Sequence, residues 1–435
     1  MALRFGTDGV RAEALTVLTT AYVRALGAAA ARVLDGESFL VGRDTRESGP
    51  ELLGAFAQGC ESQGVSVIDL GIVPTPAVAH MSRLQGQPAA MLSASHNPWQ
   101  DNGVKLFSTG GRKLSDDDQD VIQKVLDQNP ELEAPGAAAT LTEGSIDPYV
   151  DGVVASIDGR FDGVRVAIDC ANGSASATAA SIFGRLGADV VSLADQPDGR
   201  NINAGVGSTH PEFLQQAVVE HGAAVGFAFD GDADRVAAVG ADGNIIDGDR
   251  IIAMTALDRR DSGRLANDTV VITVMANLGF RVAMEAENIA MVETPVGDRY
   301  VLEAIDVGGH SLGGEQSGHV IHRDLATTGD GVLTAVQLLD AAVRRGVDLG
   351  TWAAGVMTRY PQILENVRMD HKIPDLVGRL SPAIAAEEEI LGADGRVLIR
   401  ESGTEPVVRV MVEAADETHA RTSVARLVAA VEALA

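Results

Sequence analysis

Short apolar runs alternate with stretches whose apolar positions recur at helical spacing from one end of the chain almost to the other, which is the pattern of α/β layers built on mixed sheets. Over the first third this rhythm predicts a helix at 15–34, a strand at 39–42, a helix at 50–61 and a strand at 65–70. A buried-strand pattern follows at 88–92, then a helix with an acidic start at 117–128. The Ala/Pro/Gly-rich run 130–139 reads as a linker.

A second segment opens near Ser145, with a strand at 164–169, a small-residue-rich helix ending at Gly187, a strand at 190–191 and an apolar strand at 224–229. The third repeats the rhythm, with a strand at 270–274, a helix at 278–286 and a glycine-rich loop at 313–319. From about Arg359 the pattern changes to strand, turn, strand and an Ala/Val-rich helix, closer to an open α+β sandwich. The expectation is four domains, at 1–140, 141–248, 249–358 and 359–435, three similar α/β domains with mixed sheets plus a smaller C-terminal α+β domain.

At 435 residues the chain is too long for one ordinary core. A composition of 46% hydrophobic and 22% charged residues describes folded domains, not disorder. No run approaches the ~20 apolar residues that span a bilayer, and the N-terminus lacks a basic stretch followed by an apolar one, so a cytoplasmic protein is expected. The formal charge of −27 disfavours nucleic acid and anionic membrane as partners. It also means that an anionic ligand must be held by local arginine clusters. Cys60 and Cys170, without metal-ligand spacing, read as core thiols.

Four loops carry candidate chemistry. Ser93-Ala94-Ser95-His96-Asn97-Pro98, with Asp101-Asn102-Gly103-Val104-Lys105 beyond, puts a hydroxyl nucleophile near an imidazole and an amine. A serine hydroxyl needs such a base or cation to react, and Ser95 would stand at the end of a buried strand. Lysine is rare, at 105, 113, 124 and 372 only, and a lysine can have its pKa moved toward neutrality.

Asp230, Asp232 and Asp234 alternate just after a strand and so share a side if the segment is extended. Hard carboxylate oxygens without nearby His or Cys favour Mg²⁺ over zinc. Arg235 and Ala241 stand where a calcium loop needs Gly and Glu. An aspartyl-nucleophile phosphatase would need a downstream lysine, for which only Lys372 is available. Gly314-Glu315-Gln316-Ser317-Gly318-His319 suits a polyhydroxylated or amino-bearing ring. Arg400-Glu401-Ser402-Gly403-Thr404-Glu405-Pro406, with Arg409, offers donors that converge on a small anion.

In this order the four loops closely resemble the α-D-phosphohexomutase superfamily over essentially the whole chain. Supporting runs are Phe5-Gly6-Thr7-Asp8-Gly9-Val10-Arg11, Asp169-Cys170-Ala171-Asn172-Gly173, Gly207-Ser208-Thr209-His210-Pro211, Val296-Gly297-Asp298-Arg299-Tyr300 and Gln316. These flanking runs are most similar to the branch that works on amino sugars. The resemblance implies interconversion of glucosamine 6-phosphate and glucosamine 1-phosphate, through a phosphoserine enzyme and a bisphosphate, in supply of UDP-N-acetylglucosamine.

It further implies that Ser95 is the phosphoserine and joins Asp230, Asp232 and Asp234 around one Mg²⁺. His96 and Lys105 would move protons, with Arg11 near the phosphoserine. Arg235, Glu315, Ser317 and His319 would bind the substrate, while Arg400, Ser402, Gly403, Thr404 and Arg409 would hold the phosphate that is not reacting. A sugar 1,6-bisphosphate is the implied activator, and a homodimer the family's common assembly. Ala12 stands where the family has Gly, which removes easy access to positive φ beside Arg11; Val206, Pro295 and Glu401 are further departures. A phosphomannomutase or phosphoglucomutase, a sugar-phosphate phosphatase and a non-catalytic sugar-phosphate binder are the alternatives.

Overall fold

The computed structural model describes residues 3–6, 8–134, 136–369, 371, 373–401 and 407–434. Two compact units result, one of Met1–Met275 with Ile289–Gly355 and one of Ala276–Asn288 with Val356–Ala435.

The larger unit holds three mixed sheets. In the first, the described strands run in the order Val10–Glu13, Asp101–Ser108, Ala89–Leu92, Ser38–Arg43, Ser66–Ile72 and Leu141–Glu143, with Arg112–Lys113 beside Asp101–Ser108. The second has the order Ile245–Ile246, Val236–Gly240, Val225–Phe229, Arg165–Asp169, Asp189–Leu193. The third runs Ala290–Thr294, Thr269–Thr273, Leu312–Gly314, Val320–His322.

One feature recurs in all three. A strand that is parallel to its inner neighbour turns back into an antiparallel partner: Ala89–Leu92 into Asp101–Ser108, Val225–Phe229 into Val236–Gly240, Leu312–Gly314 into Val320–His322. The first strand of each pair is buried along its whole length. Each of the first three chemical loops is the connection of one such pair, so the buried strand fixes where the loop starts.

Most expected elements form within a few residues of their predicted bounds, and the exceptions have local causes. The first helix begins at Thr20 instead of Leu15, because Thr19 caps it by accepting from the Tyr22 N–H at 3.2 Å, while Leu15 takes φ 62 in the turn before it. The expected linker is partly structured: Leu132, in a short 3₁₀ turn at Pro130–Glu133, is buried in the first domain's core, and Leu141–Glu143 adds to the first sheet. The small-residue helix is broken into a 3₁₀ turn at Ser174–Ala177 and a helix at Ala179–Arg185. Cys60 and Cys170 are buried free thiols, as read.

The smaller unit packs helices Leu376–Leu391 and Glu417–Glu432 on an antiparallel sheet of Gln362–Arg368, Val407–Glu413 and Arg396–Glu401. The helix Leu278–Ala286 also belongs to it: Asn277 donates to Glu413 at 3.0 Å and to the Tyr360 carbonyl at 3.0 Å. Among the described residues, no helix is long and apolar enough to cross a membrane.

Candidate active site

Ser95 is fully buried just beyond the strand Ala89–Leu92 and takes φ 54, a conformation that a non-glycine residue adopts only when its surroundings impose it. The imposing group is Arg46, 1% exposed. Its guanidinium donates to the carbonyls of Ser95 at 3.0 Å, Asn97 at 2.8 Å and Asp101 at 2.8 Å, and also to that of Pro98. Asp44 holds the guanidinium in turn at 2.9 Å and accepts from the Ser93 hydroxyl at 2.6 Å. Burial drives the Asp44 carboxyl up, and Arg46 and Ser93 oppose that rise. Asn203 adds donors to the carbonyls of Ser95 and Asn97 at 2.9 and 3.1 Å. The residues that shape this loop therefore come from distant parts of the chain.

The Ser95 hydroxyl donates to Asp230 Oδ2 at 2.5 Å. Gly231 makes that approach possible, since a Cβ there would lie 2.5 Å from the Ser95 carbonyl oxygen. Asp230, Asp232 and Asp234 are all buried and offer oxygens within 4.8 Å of one another. Among the described residues, the Oδ1 atoms of Asp232 and Asp234 are buried without a hydrogen-bond partner. A buried carboxylate oxygen left bare is costly, and a hard divalent cation ligated by all three groups would remove that cost. The donor set thus fits the expected metal, with Ser95 beside it.

Burial, then the neighbouring Asp234 and Asp232 charges, raise the Asp230 carboxyl to about 8. Asp232 also accepts from the Thr75 hydroxyl at 2.5 Å, while the Thr75 N–H bonds to the Asp232 carbonyl at 2.9 Å. Thr75 opens the helix Thr75–Gln85, absent from the sequence expectation although Pro76 in its first turn suits a helix start, where a missing N–H costs nothing.

Lys105 is 2% exposed and faces three carboxylates: Asp232 at 2.6 Å, Asp8 at 2.9 Å and Asp234 at 3.3 Å. Burial alone would lower its pKa, but these three partners hold it well above the usual lysine range. Lys105 stands as a fixed ammonium. His96 moves the other way. Burial, then Arg235 and Arg11, push it down to about 4, so its ring is neutral at pH 7. Its Nδ1 lies 3.3 Å from both the Ser95 hydroxyl and Arg235 Nη1. Since the serine proton points to Asp230, the single lone pair on Nδ1 is left to Arg235. Arg11 pairs with Asp8, and Ala12 lies in an ordinary strand opposite Asn102, so the missing glycine costs nothing there.

In the third sheet's loop Glu315 is half-buried, Ser317 exposed and His319 buried. Glu315 accepts from the Gly297 N–H at 3.1 Å. His319 accepts from the Gly329 N–H on Nε2 at 3.0 Å, which leaves its Nδ1 facing Asp234 Oδ1 at 3.7 Å. In the smaller unit, Arg400 and Arg409 are cross-strand partners. Like charges placed opposite one another repel. Burial and then Arg409 lower the Arg400 pKa, and among the described residues Arg400 Nε is buried without a hydrogen-bond partner, so an anion here would be stabilised. Ser402, Gly403, Thr404 and Lys372 lie outside the described residues.

Comparison with known proteins accounts for this ordered set of loops. Four segments match phosphoglucomutase/phosphomannomutase domains: the alpha/beta/alpha domain I at 2–133, domain II at 147–243, domain III at 247–360 and the C-terminal domain at 364–430. The chain belongs to the phosphoglucomutase/phosphomannomutase family and is a phosphohexomutase. It is 48% identical to the phosphoglucosamine mutase of Thermobifida fusca, over 98% of this chain and 97% of that one. It is likewise 48% identical to the phosphoglucosamine mutase of Frankia alni, over 100% and 99% of the two chains. A solved phosphoglucomutase/phosphomannomutase family protein from Burkholderia thailandensis superimposes with a TM-score of 0.81 at 26% identity, covering 98% of this chain and 97% of its own.

Proposed function

We propose that the chain interconverts glucosamine 6-phosphate and glucosamine 1-phosphate, with Ser95 carrying the phosphoryl group and a glucosamine 1,6-bisphosphate as intermediate and activator. The observation that carries this reading is the Ser95 hydroxyl held 2.5 Å from Asp230 at the edge of a buried three-carboxylate group. The 48% identity to phosphoglucosamine mutases supports the amino-sugar preference.

In the forward step a sugar hydroxyl oxygen attacks phosphorus on phospho-Ser95. The bond from phosphorus to the serine oxygen breaks, its electron pair stays on that oxygen, and the proton lost by the sugar hydroxyl balances the one the serine gains. After the bisphosphate turns over, the same events in reverse load Ser95 with the other phosphate. Mg²⁺, held by Asp230, Asp232 and Asp234, would neutralise charge on the group in transfer. The Ser95 proton is directed at Asp230, the Lys105 ammonium supplies fixed positive charge, and neutral His96 accepts from Arg235. Glu315 and Ser317 are assigned to the sugar, and Arg235 and His319 to the substrate's surroundings. Arg400 and Arg409, with Ser402, Gly403 and Thr404, are assigned to the phosphate that does not react.

The test is phosphorus NMR of phosphorylated protein with Mg²⁺, glucosamine 6-phosphate and a trace of the bisphosphate. Growth of the 1-phosphate signal, faster than with glucose or mannose 6-phosphate, is expected. Faster turnover of either neutral sugar would reassign the substrate.

A further inference from the structure

Six side chains near the metal loop close a ring in which Lys105, Lys113 and the His319 imidazole each stand between two carboxylates. Lys105 joins Asp8 to Asp234, at 2.9 and 3.3 Å. His319 lies between Asp234 and Asp298, at 3.7 and 3.5 Å. Lys113 closes the circuit from Asp298 back to Asp8, the latter at 2.5 Å. The mechanism uses Lys105 and the metal aspartates but has no task for Lys113 or Asp298.

Their position suggests one. Lys113 comes from the first sheet, in the strand Arg112–Lys113, whereas Asp298 is the first residue of the helix Asp298–Gly308 of the third-sheet domain. Two other ion pairs run along this contact, Arg112 with Asp306 and Asp116 with Arg299, but Arg112 and Asp116 are 55% and 65% exposed. Exposed pairs hold little, in the range of ~0–1 kcal/mol. The Lys113 and Asp298 side chains are only 9% and 12% exposed, so removing either leaves a charge buried without its partner. Directly before Asp298 stands Gly297, with φ 136, and its N–H is the donor that orients the Glu315 carboxylate. A backbone donor at a helix N-terminus suits a carboxylate, and φ 136 restricts the position to glycine.

We infer that Lys113, acting through Asp298 and Gly297, is a positioning residue that sets the direction of the sugar-reading Glu315. The inference rests on the proposed role of Glu315 in reading the sugar. Lys113 need not touch the substrate. It fixes the start of the helix whose first donor aims the carboxylate.

The test is a double-mutant cycle of Lys113→Met with Glu315→Gln, run on whichever hexose 6-phosphate the unaltered protein turns over best. A change of preferred sugar would overturn the glucosamine assignment and leave this cycle able to decide. Lys113→Met is expected to raise KM about tenfold, mid-range for buried coupled neighbours, with little change in kcat. Lys113→Arg should restore most of the loss. In the Glu315→Gln background, Lys113→Met should add almost nothing to KM. Additive effects on KM, or a fall in kcat alone, would overturn the inference. If Lys113→Met does not fold, as judged by thermal unfolding, the same cycle with Asp298→Asn decides by the same criteria.

Discussion

Ser95 combines a reactive position with an unfavourable backbone. Its φ of 54 is held by the Arg46 bonds to its own carbonyl and to those of Asn97, Pro98 and Asp101, and not by the serine side chain. Ser95→Ala should therefore abolish the phosphoprotein in intact-mass measurement and reduce turnover by several orders of magnitude, while thermal unfolding changes little. Full activity with phosphate on another residue would exclude Ser95. Arg46 makes the opposite prediction. Arg46→Met leaves Asp44 buried without its counter-charge and the loop carbonyls without donors, so stability should fall by about 3–5 kcal/mol in denaturant titration. An unchanged midpoint would show that the loop holds its own shape. Ser95 and the three aspartates were legible because chemistry is concentrated in short local runs. Arg46, Asp44, Asn203 and Thr75 were not, because the loop groups they support lie 49 residues or more away along the chain. The Asp44 and Arg46 pair directly after a predicted strand was the one available signal.

Repetition of one device, a buried strand that turns back into an antiparallel partner, explains why chemically unrelated loops occupy equivalent places in the first three sheets. Strand pattern showed where each loop begins, since an apolar run such as 224–229 stops abruptly at Asp230. Helix starts were less readable. Thr19 displaced one by capping, and the helix opened by Thr75 was missed altogether, although Pro76 in its first turn is a helix-start feature. That hidden helix carries a prediction. Its first residue supports Asp232 through both hydroxyl and N–H, and loss of an outer partner of a metal ligand lowers affinity by about ten- to a hundredfold. Thr75→Val should shift the Mg²⁺ dependence of turnover to higher concentration by that order, with full activity restored at saturating metal. A variant with unaltered Mg²⁺ dependence would show that Asp232 needs no such support, or is not a ligand.

A protein carrying −27 must bind a dianionic sugar phosphate against its own field. The cross-strand pair Arg400 and Arg409, in the smaller unit, is a local exception to that field. A charge-assisted hydrogen bond contributes roughly 1.5–3 kcal/mol, so Arg409→Ala should raise KM for the 1-phosphate and the 6-phosphate alike by about ten- to a hundredfold. Loss with only one isomer would assign the pair to one orientation of the substrate. Division into α/β sheets followed by a distinct C-terminal sheet was legible from the change of pattern near Arg359. The membership of Ala276–Asn288 in the smaller unit was not, because the contacts of Asn277 with Tyr360 and Glu413 are set by packing and leave no trace in periodicity. The central claim is that phosphate passes between Ser95 and sugar without escaping to water. Its most direct test is to label the Ser95 phosphate radioactively, add unlabelled glucosamine 6-phosphate and Mg²⁺, and follow the label through a single turnover. The label should leave the protein for the sugar phosphates while Ser95 stays phosphorylated with unlabelled phosphate; label recovered as inorganic phosphate, or retained on the protein, would contradict the account.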